Sequence, residues 1–61
     1  MGIRLAREKM NLTQAQVAEA LGIQQSAVAQ WESGETKPRA DKLLALAKLF
    51  GCTIDELLKQ E

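Results

Sequence analysis

An all-α fold, a compact bundle of five short helices in a single domain spanning residues 1–61, is predicted by three observations. Helix-ending residues recur at short intervals: Asn11-Leu12-Thr13, Gly22, Ser33-Gly34, Lys37-Pro38 and Gly51. The segments between them carry apolar residues at helical spacing. Valine, isoleucine and threonine are few and never alternate with polar residues, so no strand pattern exists. A chain of 61 residues buries only about 60% of the surface its unfolded form exposes, so a well-packed helical core must hold it. The one cysteine, Cys52, excludes an intramolecular disulfide, and with no histidine present there is no zinc site.

The first helix covers about 2–10, with Ile3, Ala6 and Met10 on one face. The second covers about 14–21. Thr13 suits its N-cap, Gln16 completes a capping box, and Gly22 supplies a left-handed C-terminal residue. Val17, Ala18 and Leu21 form its apolar face. The third helix runs about 25–32 and the fourth about 40–50, following Pro38, with Leu43, Leu46, Ala47 and Phe50 as a stripe. Gly51 closes the fourth helix. Thr53 and Glu56 repeat the capping-box spacing ahead of a fifth helix, whose inward residues are Ile54, Leu57 and Leu58.

Several function classes are excluded. No apolar run approaches the roughly 18 residues of a membrane helix. The start lacks a signal-peptide core, and Ala6 stands where myristoylation needs Ser or Thr. A reducing cytoplasm is the expected location. Catalysis is not expected: no histidine is present, Cys52 has no base beside it, and the neighbouring Asp55 and Glu56 do not face each other on a helix. No cofactor or metal is expected.

The net charge is zero, but it is unevenly spread. Arg4, Arg7 and Lys9 against Glu8 leave residues 1–10 at +2, and Lys37, Arg39 and Lys42 against Asp41 leave residues 37–42 at +2. Between these clusters the only charges are Glu19, Glu32 and Glu35. The third helix is the informative part of that middle. On a wheel of about 100° per residue, Ala27, Val28 and Trp31 share one arc, and Gln25, Ser26, Ala29, Gln30 and Ser33 the other. An ordinary solvated face in this chain carries Glu and Lys. This one carries amides and hydroxyls, which donate and accept at once. A Gln amide matches N7 and N6 of adenine in the major groove, and a small Ala29 permits close approach or contact with a thymine methyl. A merely polar helix face stands level with this reading until the preceding segment is added. Residues 14–28 read as helix, glycine turn, helix. Ala18 is small where two helices cross, and Ile23 and Val28 plug the angle between them. That is the helix-turn-helix layout.

The residues Leu12-Thr13-Gln14, Val17-Ala18, Leu21-Gly22, Val28, Trp31-Glu32-Ser33-Gly34, Lys37-Pro38, Leu43, Ala47, Gly51 and Ile54-Asp55-Glu56-Leu57-Leu58 together carry a specific resemblance. The chain resembles the phage repressor and Cro family of XRE-type DNA-binding domains, from Ile3 to Leu58, and Gln24-Gln25-Ser26 is similar to the same stretch in lambdoid repressors. Ala6, Phe50 and Cys52 depart from the family pattern at core positions. The resemblance implies a lambda-repressor-like bundle that binds a double-stranded DNA operator and regulates transcription, in a bacterial or phage-encoded protein at the nucleoid. It implies that Gln25, Ser26, Ala29 and Gln30 meet base edges. It also implies that Gln14, Gln24, Ser33, Lys37 and Arg39 meet backbone phosphates, which position the protein without reading sequence. Arg4 and Lys9 are weaker candidates for the backbone. Arg7 and Glu32 stand where the family has a paired Arg and Glu, so an ion pair joining the first and third helices is expected.

One recognition helix reads too few base pairs to single out a site, so a weak homodimer that DNA strengthens is expected. Cys52, Ile54, Leu57 and Leu58 are its candidate surface, with Leu58 the exposed anchor. A small repressor acting by operator occupancy is the leading function. The alternative is a helical protein-interaction module, antitoxin-like or an adaptor, which the zero net charge favours.

Overall fold

The computed structural model describes residues 2–59. Five helices follow in order: α1 Ile3–Lys9, α2 Gln14–Leu21, α3 Gln25–Ser33, α4 Ala40–Phe50 and α5 Ile54–Leu58. The Cα radius of gyration is 10.0 Å. One core unites them, made by Ala6, Val17, Ala18, Val28, Leu46, Ala47, Phe50 and Leu57. Val17, Val28 and Leu46 are fully buried, so each helix from α2 to α4 sends at least one side chain to a common centre. Ile3, Leu12, Leu21, Ile23, Trp31, Leu49, Cys52 and Ile54 pack around that centre, partly buried. Among the described residues no helix is long and apolar enough to cross a membrane.

Local chemistry fixes where the elements begin. At Thr13 and again at Thr53 the hydroxyl accepts from the backbone N–H three residues on, while the side chain of Gln16 or Glu56 accepts from the threonine N–H. Each box satisfies two groups that the start of a helix leaves orphaned. The N-cap residues of α3 and α4, Gln24 and Arg39, make no such side-chain bond. The turn between α2 and α3 depends on Gly22, whose φ of 69° lies in the left-handed region. That turn lets the Ile23 N–H reach back to the Ala18 carbonyl at 2.9 Å. Ala18, 4% exposed, sits in the resulting core.

Three expectations need correction. Met10 does not lie on the inward face of the first helix; it is the C-terminal cap of α1 and 47% exposed. The helix stops early because Asn11 turns left-handed, at φ 58°, and the Arg7 carbonyl accepts from both the Met10 and the Leu12 N–H. Leu12 takes the apolar position that Met10 leaves. Leu57, placed with the candidate dimer surface, is 4% exposed and belongs to the core of its own chain. Its helix has only five residues, and an inward stripe on so short an element takes Ile54 and Leu57 together at i, i+3. Cys52 and Ile54 are half-buried against the same core. Leu58, expected with Ile54 and Leu57 on the inward side of the fifth helix, faces solvent instead, at 59% exposed, because it follows Leu57 by one residue and so turns to another face.

Candidate nucleic-acid interface

The α2–turn–α3 unit presents one end of α3 to solvent. Val28 anchors the helix in the core, and Ala27 and Trp31 are half-buried beside it. Gln24, Gln25 and Ser26 are exposed at its uncapped start, while Ala29 and Gln30 are half-buried further along. The residues expected at base edges therefore share one element, with Gln25 and Ser26 the most prominent and Ala29 leaving a shallow place between longer side chains.

Behind that face lies a hydrogen-bonded cluster that joins three helices. Arg7 Nε donates to Glu32 Oε2 at 2.6 Å and Arg7 Nη2 donates to Glu32 Oε1 at 3.1 Å. The two side chains are 13% and 6% exposed. Arg7 Nη1 donates to the Leu12 carbonyl at 2.8 Å, tying the pair to the chain between α1 and α2. Gln14 Nε2 donates to Glu32 Oε1 at 3.0 Å, and Gln25 Nε2 donates to Gln14 Oε1 at 3.4 Å. Burial pushes the Glu32 carboxyl up, but the hydrogen bonds from Arg7 and Gln14 outweigh it and hold that carboxyl below its ordinary range. The hydrogen bond to Glu32 raises Arg7 above its ordinary value. The bidentate geometry is the strong form of an Arg–carboxylate pair.

The pattern in the sequence pointed to Arg7 and Glu32 but not to their continuation into Gln14 and Gln25. Gln14 and Gln25 are the first residues of α2 and α3, and the packing of these two helices brings their side chains together across 11 residues of sequence. Gln14 thus holds two side-chain partners, Glu32 and Gln25.

The remaining candidates divide by surroundings. A shallow hollow of about 310 Å³ is lined by Arg4, Arg7, Gln14, Ala29, Glu32 and Ser33. It brings Gln14 and Ser33 to one place and adds Arg4, which is exposed and pairs with Glu8 across one helical turn at 3.3 Å. The Ser33 hydroxyl donates to the Gln30 carbonyl at 3.1 Å and accepts from the Glu35 N–H at 3.4 Å, so its proton is engaged in closing α3. Lys37 and Arg39 are exposed in the segment between α3 and α4, with Arg39 at the open start of α4. Lys37 and Ser33 also border a larger hollow of about 580 Å³, whose apolar wall includes Ile3, Trp31, Pro38, Leu43 and Leu58.

The Cys52 thiol is pushed up by burial and by the nearby Glu56 carboxylate. That is the opposite of what a nucleophile needs.

Comparison with known proteins places this architecture. The sequence pattern of the helix-turn-helix family matches residues 3–57. The chain is 42% identical over 57 residues to the repressor protein C2 of Salmonella phage P22, covering 93% of this chain and 26% of that protein. It is 46% identical over 55 residues to the HTH-type transcriptional activator BcrR of Enterococcus faecalis, covering 90% of this chain and 27% of that one. The chain thus spans about a quarter of the length of these curated relatives. The structure matches the crystal structure of the P22 c2 repressor in complex with a synthetic operator with a TM-score of 0.86, at 41% identity, over 97% of this chain and 89% of that chain. With its five helices, its glycine turn after α2 and a family pattern that runs from Ile3 to Leu57, the chain belongs to the helix-turn-helix family.

Proposed function

We propose that this domain binds specific sites in double-stranded DNA and regulates transcription, as a repressor that acts by occupying an operator. The observation that carries the reading is the outer face of α3. It is uncharged, rich in amides and hydroxyls, open at its N-terminal end, and held by a core residue and a buried ion pair rather than by solvent-facing charges. The relative with a matching fold is a repressor in complex with an operator, which supports the same reading.

In this proposal Gln25, Ser26, Ala29 and Gln30 lie at base edges in the major groove. Gln14, Gln24, Ser33, Lys37 and Arg39 meet phosphates, with Arg4 joining Gln14 and Ser33 around their hollow. Ser33 would exchange its bond to the Gln30 carbonyl for a phosphate oxygen. Contacts of this kind make binding weaken with salt, with a slope of log K against log salt of about −0.9 per phosphate neutralised. Two subunits on a two-fold operator complete the reading, with Leu58 as the exposed apolar anchor beside the larger hollow.

Selection of preferred duplexes from a random pool, followed by titration of variants, tests the proposal. Gln25→Ala should weaken the selected site by about 1–3 kcal/mol and leave non-specific duplex nearly unaffected, whereas Lys37→Ala should weaken all duplexes alike. Absence of binding to every duplex at low salt would overturn the function. Uniform loss in both variants would remove Gln25 from the bases.

A further inference from the structure

We propose that the larger hollow binds a small organic acid with an apolar body, and that the bound acid competes with DNA for Arg4 and Lys37. The competition rests on the reading of those two residues as phosphate contacts. The site itself does not.

The hollow lies where α1, α4 and α5 meet the end of α3 and the chain that leaves it. Its volume of about 580 Å³ falls in the range of small-molecule sites, which occur between the helices of bundles. Five helix residues make its apolar wall: Ile3 and Leu5 from α1, Trp31 from α3, Leu43 from α4 and Leu58 from α5. Ile3, Leu5, Trp31 and Leu43 are half-buried, so each leaves apolar surface bare toward one shared concavity. Such surface gains from any apolar body that displaces its water.

The charged members of the wall decide which body fits. Among the described residues they are Arg4, Glu32 and Lys37. Glu32 is 6% exposed and both its oxygens accept from Arg7, so its charge is already answered. Arg4 and Lys37 are exposed. Arg4 spends its Nε on Glu8, and its two terminal NH2 groups remain as donors. Lys37 makes no ion pair among the described residues, and its ammonium only donates. The unanswered charge of the wall is therefore positive, and a carboxylate is the compact acceptor-only group that complements it. A second copy of the chain does not supply that group. A two-fold interface sets the same patch against itself, and centred here it would gather the cations of both copies. A partner copy can meet Leu58 at the rim without filling the hollow.

The same cations link the hollow to DNA. Arg4 and Ser33 line both hollows, and Lys37 borders the larger one. An acid held by Arg4 and Lys37 puts a negative charge where the proposed phosphates lie. Acid and duplex then weaken each other by the same factor.

Titration with decanoate, kept below its micelle concentration and followed by Trp31 emission, tests the site without DNA. The emission should move to the blue and saturate at one decanoate per chain. Decanamide has the same body without the charge and should bind about tenfold more weakly. The double variant Arg4→Ala, Lys37→Ala alters only exposed side chains. It should lose about tenfold in affinity for decanoate and keep its affinity for decanamide. No shift, equal affinity for the two probes, or unchanged decanoate affinity in the double variant would overturn the proposal. A blue shift on raising the protein concentration alone would give the hollow to a second copy. A shift with an acidic amphipathic helical peptide but not with decanoate would give it to a protein. Either result would overturn the proposal as well.

The competition is read on a selected duplex, whose affinity should fall about tenfold in saturating decanoate. Unchanged duplex affinity under those conditions would overturn the competition. If no duplex is bound even without decanoate, the DNA-binding function fails and the competition with it, while the Trp31 titration still decides the site.

Discussion

The two ends of this domain are held together by different physics. In the α1–α3 end, a bidentate ion pair and a shared amide cross between helices, and the bonds have fixed directions. In the α4–α5 end, Leu46, Ala47, Phe50 and Leu57 meet in an apolar core, and the polar bonds around Thr53 and Glu56 only close their own helix start. Apolar contact fixes how far apart two helices lie, but it is tolerant of rotation about a helix axis. A directional bond is not tolerant in that way. The directional bonds occur where rotation would displace Gln25 and Ser26, and the apolar contacts occur where only volume is needed.

Removing one partner from the directional end should have the largest effect. Glu32→Ala leaves the Arg7 guanidinium partly buried without its carboxylate, at a cost of about 4 kcal/mol. A 61-residue domain has little more than that to lose, and thermal unfolding should show a midpoint lowered by more than about 15 °C. Leu46→Ala removes the largest fully buried side chain at the apolar end and should cost about 3 kcal/mol by the same measurement.

The two variants should then separate on acidification. The folded state holds the Glu32 carboxyl below its ordinary range, so the unfolded chain binds its proton more readily. The stability this contributes is fully present above the ordinary glutamate range and is lost as pH falls through the lowered folded value. Glu56, lowered by its hydrogen bonds to Thr53, acts in the same direction. Unfolding midpoints followed from neutral pH downwards should therefore fall in wild type and in Leu46→Ala alike, and fall less in Glu32→Ala.

Arg4→Ala marks the lower bound. Its pair with Glu8 is 71% and 48% exposed, and the loss in stability should stay below about 0.5 kcal/mol. An equal loss from Arg4→Ala and Glu32→Ala would erase the distinction between the pair within α1 and the pair that joins α1 to α3.

How legible each feature was in the sequence follows the range of the interaction that makes it. The capping boxes at Thr13 and Thr53 and the glycine turn at Gly22 act within five residues, and their residue types are visible in order along the chain. The arcs of α3 were legible for the same reason. Met10 was misplaced because the end of α1 is decided by Asn11 entering the left-handed region, a local choice that several residue types near it allow. Leu57 was assigned to two roles because adjacent leucines on a five-residue helix are separated only by which core they meet. The extension of the ion pair through Gln14 to Gln25 was not read, since it depends on the crossing of two helices and on side chains 11 and 18 residues apart. Leu44, 49% exposed on α4, likewise gave no signal in a sequence window rich in leucine.

Trp31 is the only tryptophan in the chain, and there is no tyrosine. Near-ultraviolet emission from this protein therefore comes from a single indole, whose colour and intensity depend on the water and dipoles around it. That indole packs against the core on one side and lines the larger hollow, with Ile3, Leu43 and Leu58, on the other. The sequence thus contains its own optical probe, placed on the helix that carries Gln25 and facing the hollow that Leu58 lines. Filling the hollow moves its emission to the blue, and loss of the core moves it to the red, so occupancy and unfolding leave opposite spectral signs without any added label.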